Sequence, residues 1–269
     1  MQKLDRLREV IRRAPSALVA YSGGVDSTLV AAVAHAELGK RSQAVLAVSE
    51  SLAPDEEKWA EDAARAGGFP LRKIRTHELE RGDYAKNPPN RCWFCKSELY
   101  EMLRGIAEKE GVAEILDGQN TDDVGDWRPG SAAATERGVR SPLKEAGFSK
   151  EDVRAAAKAL GLPNWDKPAA PCLSSRFPYG TAITPEKLKQ VGEAEAFLRG
   201  LGFREFRVRH HDAVARIEVK QAELAKVFEL REAIAAGLRG VGYAWVSVDL
   251  EGMVSGGMNR VIGRPVGSG

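Results

Sequence analysis

The sequence predicts an α/β protein: a doubly wound parallel sheet with a second, smaller α+β domain. Three observations lead there. Short β-branched runs alternate with helical stretches through the first half, and a proline-rich segment then interrupts the pattern. Beyond it, runs of period two surround a histidine pair.

In order, MQKLDRLREVIRR puts Leu4, Leu7, Val10 and Ile11 on one face of an amphipathic helix and contains no hydrophobic signal core. SALVAYS (Ser16–Ser22) reads as a buried strand leading into a helix over Asp26–Glu37. QAVLAV (Gln43–Val48) is a second strand, followed by a helix that Pro54 starts and Gly67-Gly68 stops. PLRKIRT (Pro70–Thr76) is a third strand. An irregular stretch with two cysteines precedes a helix near Lys96–Glu110 and a short strand, AEILDG (Ala113–Gly118). Strands and helices at this spacing call for a parallel sheet, whose ligands sit at the carboxyl ends of the strands.

Ser149 with Asp152 forms a capping-box pattern for a helix over Lys150–Leu160, ended by Gly161 and Pro163. NWDKPAAPCLSSRFPYG is too rich in proline for helix or central strand. Thr184-Pro185 opens a helix reaching Leu201, and FREFRVRH and AVARIEV flank His210-His211-Asp212 as neighbouring strands. A helix through Gln221–Leu238 and a strand in YAWVSVDL complete the second domain. The expected division is 1–165 for the nucleotide-binding domain, 166–182 for the cysteine loop and linker, 183–255 for the small domain, and 256–269 for a flexible tail.

Composition narrows the function. Of 269 residues, 43% are apolar and 29% charged, with 40 basic against 38 acidic side chains. The longest unbroken apolar run, Leu29–Ala34, is six residues, whereas a spanning helix needs about 20. No membrane association and a cytoplasmic location are expected. A net charge of +2 without a Lys/Arg cluster favours a small nucleotide substrate over a nucleic acid. The three cysteines cannot all pair off, so catalysis or metal binding has to be weighed.

Ser22-Gly23-Gly24-Val25-Asp26-Ser27 joins the first strand to the first helix. Two glycines allow a tight turn, and bare N–H groups at a helix start attract phosphate. Ser22 and Ser27 add hydroxyls, and Asp26 is placed to organise Mg2+ or cap the helix. Neither a P-loop nor a G-x-G-x-x-G pattern is present. A plain capped helix start is the alternative. Asp117-Gly118-Gln119-Asn120-Thr121-Asp122-Asp123 ends the fourth strand and, taken alone, fits an Asx-rich turn equally well.

Cys92-Trp93-Phe94-Cys95 spaces two thiols as a redox pair would, and Cys172 stands far down the chain. Zinc would need a fourth ligand, and none of His35, His77, His210 and His211 is obviously placed to serve. An iron–sulfur cluster on three thiolates, with one iron open, and three unrelated cysteines are the other readings. Arg207 and Arg209 share a face of an alternating strand and could grip a phosphate. Trp93 could stack on a cationic ring or simply pack.

SGGVDS resembles the signature of the PP-loop ATP pyrophosphatases, and DGQNTDD looks like the acidic motif at the matching place in that superfamily. NRCWFCK, PAAPCLSSRFPYG, Arg207-Val208-Arg209 and Ala215-Arg216-Ile217-Glu218 together resemble the LarE family of ATP-dependent sulfur transferases. The resemblance implies adenylation of the carboxylates of pyridinium-3,5-biscarboxylic acid mononucleotide by ATP. Their conversion to thiocarboxylates then serves the nickel-pincer cofactor of lactate racemase. It implies that Ser22–Ser27 bind ATP with Mg2+, that Asp26 and Cys172 are catalytic, and that Trp93, Ser175, Arg207 and Arg209 bind substrate. Glu195 and Glu218 resemble residues that bind metal in the family.

The best-known pattern of that family has a single cysteine, matching Cys172, that gives up its own sulfur. The presence here of Cys92 and Cys95 as well implies instead a 4Fe-4S cluster on Cys92, Cys95 and Cys172 that carries sulfide. A homo-oligomer, with a hexamer as the family's form, a sulfur donor and a downstream nickel-inserting protein are the implied partners. The rival readings are a tRNA thiolase with a PP-loop and a cluster, and a nucleotide-binding sensor without catalysis.

Overall fold

A computed structural model describes residues 2–123, 129–254 and 256–263. The first part of the chain runs α1 (Gln2–Arg12), β1 (Ala17–Tyr21), α2 (Val25–Leu38), β2 (Ser42–Val48), α3 (Pro54–Ala66) and β3 (Leu71–Arg75). It continues through α4 (Gly82–Ala85), α5 (Arg91–Glu110), β4 (Glu114–Leu116), α6 (Pro129–Glu136), α7 (Pro142–Glu145) and α8 (Lys150–Ala159). The strands form one parallel sheet in the order β3-β2-β1-β4, the α/β architecture that the alternating pattern predicts.

Every residue of β1 is buried because both faces of the sheet are covered. Ala17, Val19 and Tyr21 face a core with α1, α2, α3 and α8. Leu18 and Ala20 face a second core, with Leu99, Tyr100 and Leu103 of α5. The alternation follows from side chains pointing to opposite faces of a strand. The chain moves outward from β1 to β3, then returns to place β4 on the other side of β1. That reversal lies between β1 and β4, and the crevice beyond the carboxyl ends of two such strands is where a doubly wound sheet binds ligands.

By compactness the chain forms two units: Met1–Glu78 with Asn90–Ala170, and Leu79–Pro89 with Pro171–Gly269. The second unit takes in α4, an element without a clear mark in the sequence. Around it, Ile183 N–H donates to Ala85 O at 2.8 Å and Gly180 N–H to Asn87 O at 2.9 Å. The unit continues with α9 (Pro185–Gly200), β5 (Phe206–His211), β6 (Val214–Val219), α10 (Leu224–Glu229), α11 (Arg231–Gly240) and β7 (Trp245–Val248). β5 and β6 pair antiparallel, and β6 pairs parallel with β7. Ala194 and Leu198 of α9, Val208, Ile217 and Leu238 build its core.

The expected helix over Gln221–Leu238 is broken: a 3-10 turn at Gln221–Glu223 and Leu230 divide it into α10 and α11. His210 and His211 belong to β5, and the reversal falls at Asp212, whose φ is +50°. Gly257–Ile262 forms a 3-10 helix, and residues 264–269 of the expected tail lie outside the described residues. Among the described residues no helix is long and apolar enough to cross a membrane.

Candidate active site

In the first unit the site is the turn between β1 and α2. Gly23 has φ +75°, which an L side chain rarely adopts, and a Cβ there would stand 2.6 Å from Ala60 Cβ. Gly118, after β4, lies so close that a Cβ would meet Ser27 N at 2.7 Å. The loop is thus wedged between α3 and the turn that ends β4.

Hydroxyls organise it from within. Ser27 Oγ donates to Gly24 O at 3.1 Å, Thr28 Oγ1 donates to the same oxygen at 2.8 Å, and Ser22 Oγ lies 3.1 Å from Ser27 Oγ. The N–H groups of the first turn of α2 have no partner within the helix and form a partial positive end. Ser22, Gly23, Gly24, Val25, Asp26 and Ser27 thus form one turn at a helix start, the kind of backbone that attracts an anion.

Asn120 Nδ2 donates to Asp26 Oδ1 at 2.7 Å, and Asn120 N–H donates to Asp123 Oδ2 at 3.1 Å. Burial, with the charge of Asp123 behind it, holds the Asp26 carboxyl above the usual carboxylate range, against the hydrogen bond from Asn120. Two half-repelling carboxylates beside a phosphate site suit Mg2+, which usually takes one or two carboxylates together with water and substrate phosphates. Asp117 has a different task. It accepts from Gln119 Nε2 at 2.6 Å and Ser141 Oγ at 2.7 Å, which shapes the turn.

Cys92 and Cys95 also lie in this unit. The helix expected from Lys96 begins at Arg91, so both thiols sit in the first two turns of α5 and not in an irregular stretch before it. The reason is local: Trp93 N–H already bonds Asn90 O at 2.8 Å, directly after Pro88-Pro89. Their spacing places the two on one helix face; Cys92 is exposed and Cys95 half-buried. Trp93 donates through Nε1 to Glu136 at 3.1 Å, and the Arg137 guanidinium lies 5.5 Å from its ring.

Cys172 belongs to the second unit and opens a 3-10 turn, Leu173–Arg176. Its carbonyl accepts from Ser175 N–H at 3.0 Å and from Ser175 Oγ at 2.8 Å. Pro171 O accepts from Arg176 Nη1 at 3.0 Å. The backbone on both sides of the thiol is held while the side chain itself is exposed. Tyr84 and Asn87 brace the turn from α4: the Tyr84 hydroxyl meets Ser174 Oγ at 2.7 Å, and Asn87 Nδ2 donates to Pro178 O at 2.7 Å.

A buried charge network supports this turn. Arg176 makes a two-pronged bond to Glu195, Nε to Oε1 at 2.7 Å and Nη2 to Oε2 at 3.0 Å. Burial opposes the Arg176 charge, but Glu195, with smaller contributions from Cys172 and Glu218, keeps it firmly protonated. Breaking a buried pair by removing one partner costs about 3–5 kcal/mol, so this pair is scaffold. Arg209 donates to Glu218 Oε2 at 2.8 Å and to Ser175 O at 2.7 Å, and Arg216 takes Glu218 Oε1 at 3.0 Å.

The carboxylates considered as metal ligands, Glu195 and Glu218, thus have their oxygens filled by guanidinium groups. Glu195 also accepts from Val208 N–H at 3.0 Å. Arg207 differs: it pairs with no group among the described residues, although it stands opposite Glu218 in the β5–β6 register. Burial, then Arg209 and Arg176, lower its pKa to about 10. A half-buried guanidinium surrounded by like charges is short of an anion. Arg209 thus holds Ser175 by its carbonyl, and Arg207 shares the strand face of Arg209. Sequence reasoning missed Tyr84, Asn87, Asn120, Asn164 and Arg176. Asn120, Asn164 and Arg176 stood inside segments singled out in the sequence, Tyr84 and Asn87 did not.

The three thiols are in no disulfide and, as donors, suit iron. Among the described residues, however, no group of three or more His, Cys, Asp or Glu side chains is assembled to hold a metal ion.

A family model described as asparagine synthase matches residues 11–97, which span β1, the phosphate loop, β2 and β3. An uncharacterized protein of Synechocystis is 48% identical over 97% of this chain and 98% of its own length. The pyridinium-3,5-bisthiocarboxylic acid mononucleotide synthase of Lactiplantibacillus plantarum is 41% identical over 91% of this chain and 89% of its own. A probable tRNA sulfurtransferase of Methanothermobacter thermautotrophicus is 29% identical over 66% of this chain and 51% of its own length.

Proposed function

Because the chain belongs to the LarE family, that of the pyridinium-3,5-bisthiocarboxylic acid mononucleotide synthases, we propose that this ATP-dependent sulfurtransferase converts the carboxylates of pyridinium-3,5-biscarboxylic acid mononucleotide to thiocarboxylates. The single observation that carries the reading is the pairing, in one chain, of a built phosphate loop with an exposed thiol on a rigid turn. In the proposed reaction a substrate carboxylate oxygen attacks the α-phosphorus of ATP. The bond from that phosphorus to the bridging oxygen breaks, and pyrophosphate leaves. The N–H groups at the start of α2 receive the developing pyrophosphate charge. Asp26 and Asp123 would hold Mg2+, which draws charge from the phosphates. Arg207, with Arg209 and Ser175, binds the substrate's own phosphate.

The acyl adenylate is then open to sulfur, with AMP as the leaving group. For the sulfur source, the thiol count supports a 4Fe-4S cluster on Cys92, Cys95 and Cys172, which would supply a bound sulfide and spare the protein. A second reading starts from the exposed Cys172 thiol itself. There Cys172 Sγ attacks the acyl carbon, AMP departs, and loss of the Cys172 Cα proton with Cβ–Sγ cleavage leaves thiocarboxylate and dehydroalanine. The product is the precursor of a nickel-pincer cofactor of the lactate racemase type. A soluble homo-oligomer, a separate sulfur donor and a nickel-inserting protein complete the proposal.

The test is pyrophosphate release from ATP and Mg2+ with and without the dicarboxylate mononucleotide. We expect release only when it is present. Retention of tRNA on a filter, with no response to the mononucleotide, would establish the thiolase instead. Cys92→Ala, Cys95→Ala and Cys172→Ala separate the sulfur sources: a cluster needs all three thiols, whereas sacrifice leaves single-turnover activity in the first two variants and removes it in the third.

A further inference from the structure

We propose that Asn164 is a positioning residue that orients the phosphate loop for the pyrophosphate of ATP. The inference rests on the ATP-dependent reading above and adds a residue to it.

Asn164 lies just beyond α8, and only 9% of it is exposed. Its Nδ2 donates to Gly23 O at 3.1 Å and to Thr28 Oγ1 at 2.8 Å. The orientation of the amide is forced. Gly23 O can only accept, and Thr28 Oγ1 directs its own proton to Gly24 O at 2.8 Å. A flipped amide would set carbonyl against carbonyl.

The consequence follows from peptide geometry. In a trans peptide the C=O and the next N–H point in opposite directions. By holding Gly23 O, Asn164 turns the Gly24 N–H away from itself. That N–H reaches only Ser22 Oγ at 3.4 Å, longer than a normal hydrogen bond, and so remains open to a phosphate oxygen. The next peptide is fixed in the same way, since Gly24 O accepts from Thr28 N–H at 3.0 Å as well as from the Thr28 hydroxyl that Asn164 anchors.

Asn164 Oδ1, by contrast, is buried with no partner among the described residues. A residue kept only for packing would not leave a buried carbonyl unmet. The side chain is retained for its two donors. Both act on the loop.

The experiment uses the full chain with Mg2+ and titrates inorganic pyrophosphate, ATP and adenosine by calorimetry, with melting curves as a check on folding. Asn164→Asp preserves shape and replaces the donors with an acceptor. Thr28→Val preserves shape and removes the relayed hydroxyl, while Thr28→Ser restores it. We expect Asn164→Asp and Thr28→Val to bind pyrophosphate and ATP roughly tenfold or more weakly, with adenosine binding unchanged and Thr28→Ser close to the parent. Equal pyrophosphate affinity in parent and Asn164→Asp overturns the proposal. A parallel loss of adenosine and pyrophosphate also overturns it, since that marks a merely structural role. Should Asn164→Asp fail to fold, Thr28→Val decides alone by the same two criteria. A parent that binds neither ATP nor pyrophosphate defeats the ATP-dependent reading itself, an outcome distinct from either of these.

Discussion

Gly118 and Gly105 separate what a glycine can do at a site from what it does in a helix. An alanine at Gly118 would drive its Cβ to 2.7 Å from Ser27 N and 3.0 Å from Ser27 Cα, both backbone atoms at the base of the phosphate loop. At Gly105, within α5, a Cβ meets nothing within 4 Å. Gly118→Ala is expected to cost about 1–3 kcal/mol by overpacking and to weaken ATP binding by displacing the loop. Gly105→Ala is expected to gain about 0.5–1 kcal/mol with ATP binding unchanged. Urea melts and ATP titration check both. The phosphate loop was legible from its own residues because its chemistry is local: two glycines, two hydroxyls and an acid between a strand and a helix. The roles of Asn120 and Asn164 were not, because their partners stand 94 and 141 positions away and no spacing within the sequence records such a distance.

At the scale of the element, the β5–β6 hairpin shows how a strand face becomes a binding surface. The alternation placed Arg207 and Arg209 on one side, as the sequence suggests. The register sets Arg207 opposite Glu218, yet it is Arg209 that reaches Glu218 Oε2, at 2.8 Å. The same hairpin buries His210, whose Nδ1 lies 3.1 Å from the Tyr243 hydroxyl and whose ring stacks on Phe177 at 4.9 Å. Burial, then Lys187, lowers its pKa, with Asp212 opposing; burial likewise lowers that of His211.

The unfolded chain therefore takes up protons on these histidines at a higher pH than the folded one. Their effect is absent well above the ordinary histidine pKa of about 6.5 and grows as the pH falls below it, where folding loses stability. We expect the chain to be less stable at pH 5 than at pH 7.5. His210→Gln is expected to shrink the difference to the share of His211, as read from urea midpoints; an unaltered pH slope in that variant would place its origin elsewhere. The helix ends were harder to read. Proline and glycine marked the limits of α3, and the Ser149–Asp152 capping box the start of α8, but the start of α5 carries no side-chain cap, and the interruption at Leu230 lacks a breaker residue.

For the whole molecule, labour is divided between two units: the first carries the phosphate loop, the second the Cys172 turn and the arginines. The alternation of strands and helices foretold the parallel sheet. It could not foretell that Leu79–Pro89, early in the chain, belongs with the carboxyl-terminal part, since that grouping depends on Tyr84 and Asn87 finding partners some ninety residues on. The near-neutral charge of +2 fits a small nucleotide substrate across the molecule. The most direct measurement is a single-turnover reaction of the full chain with ATP, Mg2+ and pyridinium-3,5-biscarboxylic acid mononucleotide, following pyrophosphate and thiocarboxylate together by mass spectrometry. We expect both to appear in step, both to vanish in Asp26→Asn, and thiocarboxylate alone to vanish in Cys172→Ala. Thiocarboxylate formed undiminished by Cys172→Ala, or pyrophosphate released without any sulfur entering the substrate, would contradict sulfur transfer through this site.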